Sequence, residues 1–318
     1  MASATTSVAA VLTGLSGSDF LSSADTTAQQ TAALLQLATQ LKRGERRIDL
    51  GNRVLGLIFT KASTRTRVSF QVAMARLGGQ TVDLNPQLTQ LGRGEPLEDT
   101  ARVLSRFCDV LAIRTFAQQE LADYAHWASI PVINALTDLE HPCQALADFL
   151  TMQEAFGDLQ GQTLAYVGDG NNVAHSLMLC GALLGVNVRI GCPEGFEPLP
   201  GVVDQARALS VGGAQISVIT DPVEAVRGAQ ALYTDVWASM GQEQEQAERE
   251  RAFQGFCLNE DLLAEADSRA IVLHCLPAHR GEEISAGVME GRSSRIFDQA
   301  ENRLHAQQAL LAALLGGL

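Results

Sequence analysis

In this chain, the residue types and spacing of Ser63-Thr64-Arg65-Thr66-Arg67 point most directly to chemistry. The segment follows the apolar run Val54 to Phe59 and opens a helix-patterned stretch that closes at Gly78-Gly79. A strand feeding a helix N-terminus is suited to an anion. Its backbone N–H groups and the positive end of the helix dipole favour a phosphate, and hydroxyl and guanidinium side chains complete the coordination. Arg65 and Arg67, at i and i+2, do not share a helix face, so one is expected on a ligand and the other in a structural ion pair. The local residues are equally consistent with a surface helix capped by Ser63 or Thr64, its arginines solvated.

Other chemistry-bearing residues have ordinary readings beside functional ones. His141 before Pro142 reads as a turn histidine, Arg114 as an exposed strand-end arginine and Asp235 as a strand-end carboxylate. Gly168-Asp169-Gly170-Asn171-Asn172 looks superficially like a dinucleotide loop, but Val173 stands where the third glycine of GxGxxG is required. His274-Cys275 is not expected to act as a base and nucleophile, because adjacent strand residues point to opposite faces. No CxxC or HxxxH partner supports zinc, and a buried structural cysteine is the ordinary reading of Cys275.

The elements that must position these residues alternate between short apolar runs and helical periods. Strands are expected at Val54 to Phe59, Asp109 to Arg114, Val132 to Ala135, Thr163 to Gly168, Asn187 to Gly191, Ala231 to Val236 and Ala270 to Leu276. Thr31, Leu34, Leu35, Ala38 and Leu41 follow a helical period, with a capping box at Thr26 to Gln29. Gln144 to Phe156 reads as one helix ending at Gly157, and a new strand-helix series begins at Thr163. Leu304 to Leu315 reads as an amphipathic helix, and Gln242 to Glu250 as a polar loop or helix. The pattern predicts an α/β chain of two domains, each a parallel sheet flanked by helices, with the junction on the helix around residue 150. In such sheets ligands gather beyond the carboxyl ends of the strands, where Ser63 to Arg65, Arg114, Asp235 and His274-Cys275 all fall. Two facing sheets would bring both groups of residues into one cleft.

Composition narrows the function class. At 318 residues the chain has room for two cores, and its 36 acidic against 23 basic residues give a formal net charge of −13. That charge argues against nucleic acid and anionic membranes as partners, and obliges any anionic substrate to be held by a local arginine cluster. No apolar run approaches the roughly 20 residues of a membrane span, the first residues lack the basic region of a targeting signal, and six scattered cysteines fit a reducing cytoplasm.

Phe59-Thr60-Lys61-Ala62-Ser63-Thr64-Arg65-Thr66-Arg67-Val68-Ser69-Phe70 resembles the carbamoyl-phosphate motif of the aspartate and ornithine carbamoyltransferase superfamily. His141-Pro142-Cys143-Gln144, Gly168 to Asn172, Asp235-Val236-Trp237-Ala238-Ser239-Met240-Gly241, His274-Cys275-Leu276-Pro277 and Ala300-Glu301-Asn302-Arg303 follow in the family's order, and together they resemble its ornithine branch. One departure is Gln71, where the family commonly has Glu. The resemblance implies a carbamoyl-phosphate-binding domain at 1–150 completed by 302–318, and an ornithine-binding domain at 151–301. It implies transfer of the carbamoyl group of carbamoyl phosphate to the δ-amine of L-ornithine, giving citrulline and phosphate, without metal or cofactor and in a homotrimer. Ser63, Thr64, Arg65, Thr66, Arg114, His141, Gln144, Cys275, Leu276 and Arg303 are then expected on carbamoyl phosphate, with His141 and Gln144 polarising its carbonyl. Asn172, Asp235, Ser239 and Met240 are expected on ornithine, with Cys275 beside its amine. A carbamoyltransferase for another amine, a Rossmann dehydrogenase and a non-enzymatic binding protein are the competing readings. The Asp235 to Gly241 loop, Val173 and the intact motif set respectively argue against them.

Overall fold

The computed structural model describes residues 7–61, 63–85, 94–238 and 246–318. Among these, nine strands form two wholly parallel sheets. The first holds β1 (Val54–Phe59), β2 (Gln80–Leu84), β3 (Val110–Arg114) and β4 (Val132–Leu136) in the order β2-β1-β3-β4. The second holds β5 (Thr163–Val167), β6 (Asn187–Gly191), β7 (Ile216–Ile219), β8 (Ala231–Thr234) and β9 (Ile271–His274) in the order β7-β6-β5-β8-β9. The chain divides into two compact units, Met1–Ala147 with Arg303–Leu318, and Asp148–Asn302. It passes between them inside two helices, Pro142–Phe156 and Ile296–Leu314.

Helices cover both faces of a parallel sheet, so its inner strands read as continuous apolar runs rather than alternating ones. That is why β1, β3 and β5, almost entirely buried, were visible in sequence. The two strands that sequence periodicity did not reveal, β2 and β7, both lie at sheet edges. Gln80-Thr81-Val82-Asp83-Leu84 is mostly exposed, and in β7 only Ile216 is buried. These two edges are largely solvated and carry little apolar signal, unlike the opposite edges β4 and β9, which are buried and read as apolar runs.

Three local expectations are corrected. The capping box lies at Thr27 and Gln30, one residue later than expected, because the Thr26 hydroxyl bonds instead to Ser23 O and Thr31 Oγ1. The last helix starts at Ile296, and from Asn302 to Leu314 every residue but the half-buried Leu304 is buried, so this helix is not amphipathic. Its polar side chains Asn302, His305, Gln307 and Gln308 lie inside, which a helical period of apolar residues does not anticipate. Strands β8 and β9 end at Thr234 and His274, leaving Asp235 and Cys275 just beyond the sheet.

Strand order accounts for the placement of the candidate residues. β1 has β2 on one side and β3 on the other, so the chain turns opposite ways from the carboxyl ends of β1 and β3 and leaves a crevice between them. Ser63 to Thr66 follow β1 and Arg114 ends β3. In the second sheet the same reversal falls between β5 and β8, where Asp169 to Asn172 and Asp235 emerge. The β5 turn requires glycine at Gly170, where a Cβ would lie 2.2 Å from Pro198 N and 2.5 Å from Glu197 C. Backbone cannot yield as a flexible side chain would. Gly170→Ala is therefore expected to cost on the order of 1–3 kcal/mol, seen as a lowered melting temperature; an unchanged transition would show that the 197–198 segment moves aside freely.

Candidate active site

In the first unit, Ser63 is the N-cap of the helix Thr64–Arg76, but its side chain does not cap that helix. Its hydroxyl accepts instead from Arg114 Nη1 at 3.1 Å, joining the ends of β1 and β3. The N–H and hydroxyl of Thr60 both donate to Arg114 O, at 2.9 and 3.0 Å. Thr66 is buried, and its hydroxyl accepts from Arg303 Nη2 at 2.7 Å. Of the two helix arginines, Arg67 makes the ion pair, to Asp83 at 2.7 Å, and Thr64 and Arg65 are exposed in the first turn.

His141 and Gln144 are buried at the start of the helix Pro142–Phe156. Burial holds the His141 imidazole well below its usual pKa, and the positive charges of Arg303, Arg114 and Arg65 push it the same way. A neutral imidazole beside three guanidinium groups is an oxygen-recognising arrangement. The arginines favour an oxyanion, and a neutral ring N–H can donate to a carbonyl without repelling them.

In the second unit, the Asp235 carboxylate is held at both oxygens. Cys275 Sγ donates to Oδ1 at 2.9 Å, and Asn171 Nδ2 donates to Oδ2 at 3.0 Å. Burial, followed by the charge of Asp235, raises the Cys275 pKa well above its ordinary value. The residue is therefore a thiol that orients a carboxylate, not a thiolate nucleophile. Asn171 also caps the helix Asn172–Leu183, accepting from Val173 N and Ala174 N at 2.9 and 3.2 Å, and Asn172 is that helix's half-buried first residue. Ser239 and Met240 lie outside the described residues. Leu276, past the end of β9, has φ 60°, the only positive φ of a non-glycine residue among the described residues. A left-handed leucine costs roughly 1–3 kcal/mol and must be held by its surroundings. Asp235, His274 and Cys275 bring ligand-type atoms within 4.8 Å of one another. His274 nevertheless has no lone pair to give a metal, since Nδ1 accepts from Leu276 N–H at 2.9 Å and Nε2 faces Glu283 at 3.0 Å.

Two further residues that support the site were not singled out in the sequence. Asn171 had a usable signal, being an Asn just before an apolar helix. Arg249 had none, since it sits in a run of charged and polar residues. It is buried, donating to Asp169 Oδ2 at 2.9 Å and to Trp237 O at 2.7 Å, two residues after Asp235. The polar stretch thus includes a helix, Gln246–Ala252, with an inward-facing cation.

Residues 18–154 match the model of the aspartate/ornithine carbamoyltransferase carbamoyl-P binding domain, and residues 160–314 match that of the aspartate/ornithine carbamoyltransferase Asp/Orn binding domain. The chain belongs to the aspartate/ornithine carbamoyltransferase family. It is 85% identical over 311 residues to the ornithine carbamoyltransferase of Prochlorococcus marinus (strain MIT 9313), covering 98% of each chain. It is 81% identical over 318 residues to that of Parasynechococcus marenigrum (strain WH8102), covering all of both. Among solved structures, ornithine carbamoyltransferase from Pyrococcus furiosus matches with TM-score 0.92 and 48% identity, over 96% of this chain and 99% of that one. In this family setting the failed dinucleotide fingerprint is understandable, since Gly170 serves a close backbone approach.

The state of His141 has a consequence for stability. Its folded pKa is lowered, so between that value and the unfolded value of about 6.5 the unfolded chain binds more protons. This contribution is present above pH 6.5 and is lost as pH falls, with a limiting slope of about 1.4 kcal/mol per pH unit. Thermal unfolding from pH 7.5 to 5 should show a shallower acid loss in His141→Asn than in the unsubstituted protein. Parallel profiles would mean that His141 takes up its proton in the folded state.

Proposed function

We propose that this chain catalyses carbamoyl transfer from carbamoyl phosphate to the δ-amine of L-ornithine, with the residues above in defined roles. The observation that carries this reading is the convergence of Arg65, Arg114 and Arg303 on a buried neutral His141 at the β1/β3 crevice. In a chain of net charge −13, such a cluster suits a dianion with a carbonyl attached. Ser63, Thr64, Arg65, Thr66, Arg114 and Arg303 bind the phosphate, and His141 and Gln144 donate to the carbamoyl oxygen, where negative charge grows in the tetrahedral intermediate. Leu276 is assigned to the carbamoyl group by the His274-Cys275-Leu276-Pro277 motif in which it stands. Asp235, steadied by Cys275 and Asn171, retains lone pairs for the N–H groups of the amine, and Asn172, Ser239 and Met240 hold the amino-acid end.

The neutral amine attacks the carbamoyl carbon, the C–O bond to phosphate breaks, and the amine proton leaves with the phosphate as hydrogen phosphate. Citrulline and phosphate therefore form without a covalent enzyme intermediate. The reading includes a homotrimer in a reducing cytoplasm. The six cysteines, all free thiols, suit that compartment. No described helix is long and apolar enough to cross a membrane.

A citrulline assay with ornithine, putrescine, acetylornithine and aspartate as amine donors tests the substrate, and product from ornithine alone is expected. In the same assay Arg65→Ala should lose about 2–4 kcal/mol of transition-state binding, or roughly 30-fold to 1000-fold in rate, with little change in melting temperature. Asp235→Asn should impair use of ornithine far more than binding of carbamoyl phosphate. Near-normal activity in either variant would remove that residue from its role. At subsaturating ornithine the rate should climb between about pH 6.5 and 8.5, approaching tenfold per unit, because an alkylamine of pKa near 10.4 is productive only when neutral.

A further inference from the structure

We infer that His274 and Glu283 are positioning residues for the reaction, a buried pair that fixes the Cys275-Leu276 backbone on which the amine site depends. The inference rests on the ornithine reading above. Both side chains are essentially inaccessible, at 0% and 1% exposure. His274 Nδ1 accepts from the N–H of Leu276 at 2.9 Å and so carries no proton. Nε2 must then hold the ring proton and donate to Glu283 Oε1, 3.0 Å away. The same carboxylate oxygen accepts from His279 N–H at 2.6 Å, closing a loop from residue 274 to residue 283. The backbone N–H of His274 donates to Gln299 Oε1 at 2.8 Å, and Gln299 Nε2 donates to Asp148 Oδ1 at 2.6 Å, so the ring's own main chain is pinned.

Two observations give this network a purpose beyond packing. A buried histidine–carboxylate pair is costly to desolvate, and apolar side chains of similar volume often stabilise a core at least as well. The bond it makes reaches the one left-handed leucine among the described residues, adjacent to the cysteine whose thiol orients Asp235. Without an acceptor at Nδ1, Leu276 N–H would lose its partner. The backbone would relax from φ 60°, and Cys275 would leave its 2.9 Å contact with the carboxylate.

The two ring nitrogens can be tested separately. In His274→Asn the side-chain oxygen can stand near Nδ1 and still accept from Leu276. In His274→Gln the amide reaches the Nε2 position and keeps Glu283 but offers Leu276 nothing. Glu283→Gln keeps an acceptor for both N–H groups, and Glu283→Ala keeps none. Citrulline formation by the unsubstituted protein is measured first, and its absence would defeat the ornithine reading rather than this inference. Relative to that value, kcat/KM for ornithine should fall by more than about tenfold in His274→Gln and Glu283→Ala, and by clearly less in His274→Asn and Glu283→Gln. Equilibrium binding of carbamoyl phosphate, carried mainly by the arginines of the other unit, should stay within about threefold in all four. A merely structural role would lower both quantities together, without the Asn/Gln distinction. That pattern, or His274→Gln with kcat/KM near normal, would overturn the inference.

Discussion

Because all strands in each sheet run parallel, all their carboxyl ends lie along one edge. Parallel strands need crossover connections, here helical ones, and reversal of the crossover direction opens a crevice between β1 and β3 in one unit and between β5 and β8 in the other. The residues that follow those strands are therefore concentrated at these crevices before any specific contact is considered. Arg114 and Ser63, 51 positions apart in sequence, meet because β1 and β3 are neighbours. Asp235 and Asn171 meet because β8 and β5 are.

Within that frame the two units solve opposite electrostatic problems. The first gathers positive charge in an acidic chain, and burial keeps His141 from adding to it. The second buries a carboxylate, Asp235, which must remain an acceptor. The Cys275 thiol and the Asn171 amide each donate to one of its oxygens. The same neighbourhood keeps Cys275 protonated, so one arrangement supplies a donor and suppresses a nucleophile.

Much of the support is buried polar structure. Arg249 joins Asp169 to Trp237 O, and His274 joins Leu276 to Glu283. Such bonds add modest net stability, but breaking one leaves a buried group unsatisfied. Their stronger effect is to fix where a backbone lies.

The sequence by itself determined the α/β class, seven of the nine described strands and the order of the family motifs. Those signals are local: apolar runs, helical periods and residue types at short spacing. It also led to Ser63, Arg65, Arg114, His141, Asp235 and Cys275, whose types are meaningful in their motifs. It did not disclose β2 and β7, whose residues become strands by pairing with β1 and β6 rather than by their apolar content. Nor did it reveal that the last helix is buried nearly all round, or that Arg249 lies inside. Tertiary structure alone decided that Arg65 stays exposed while Arg67 pairs with Asp83, and that Asn171 serves Asp235 as well as its own helix. Each of those outcomes depends on which distant side chain the fold brings within hydrogen-bond reach, and neither residue type nor spacing encodes that distance.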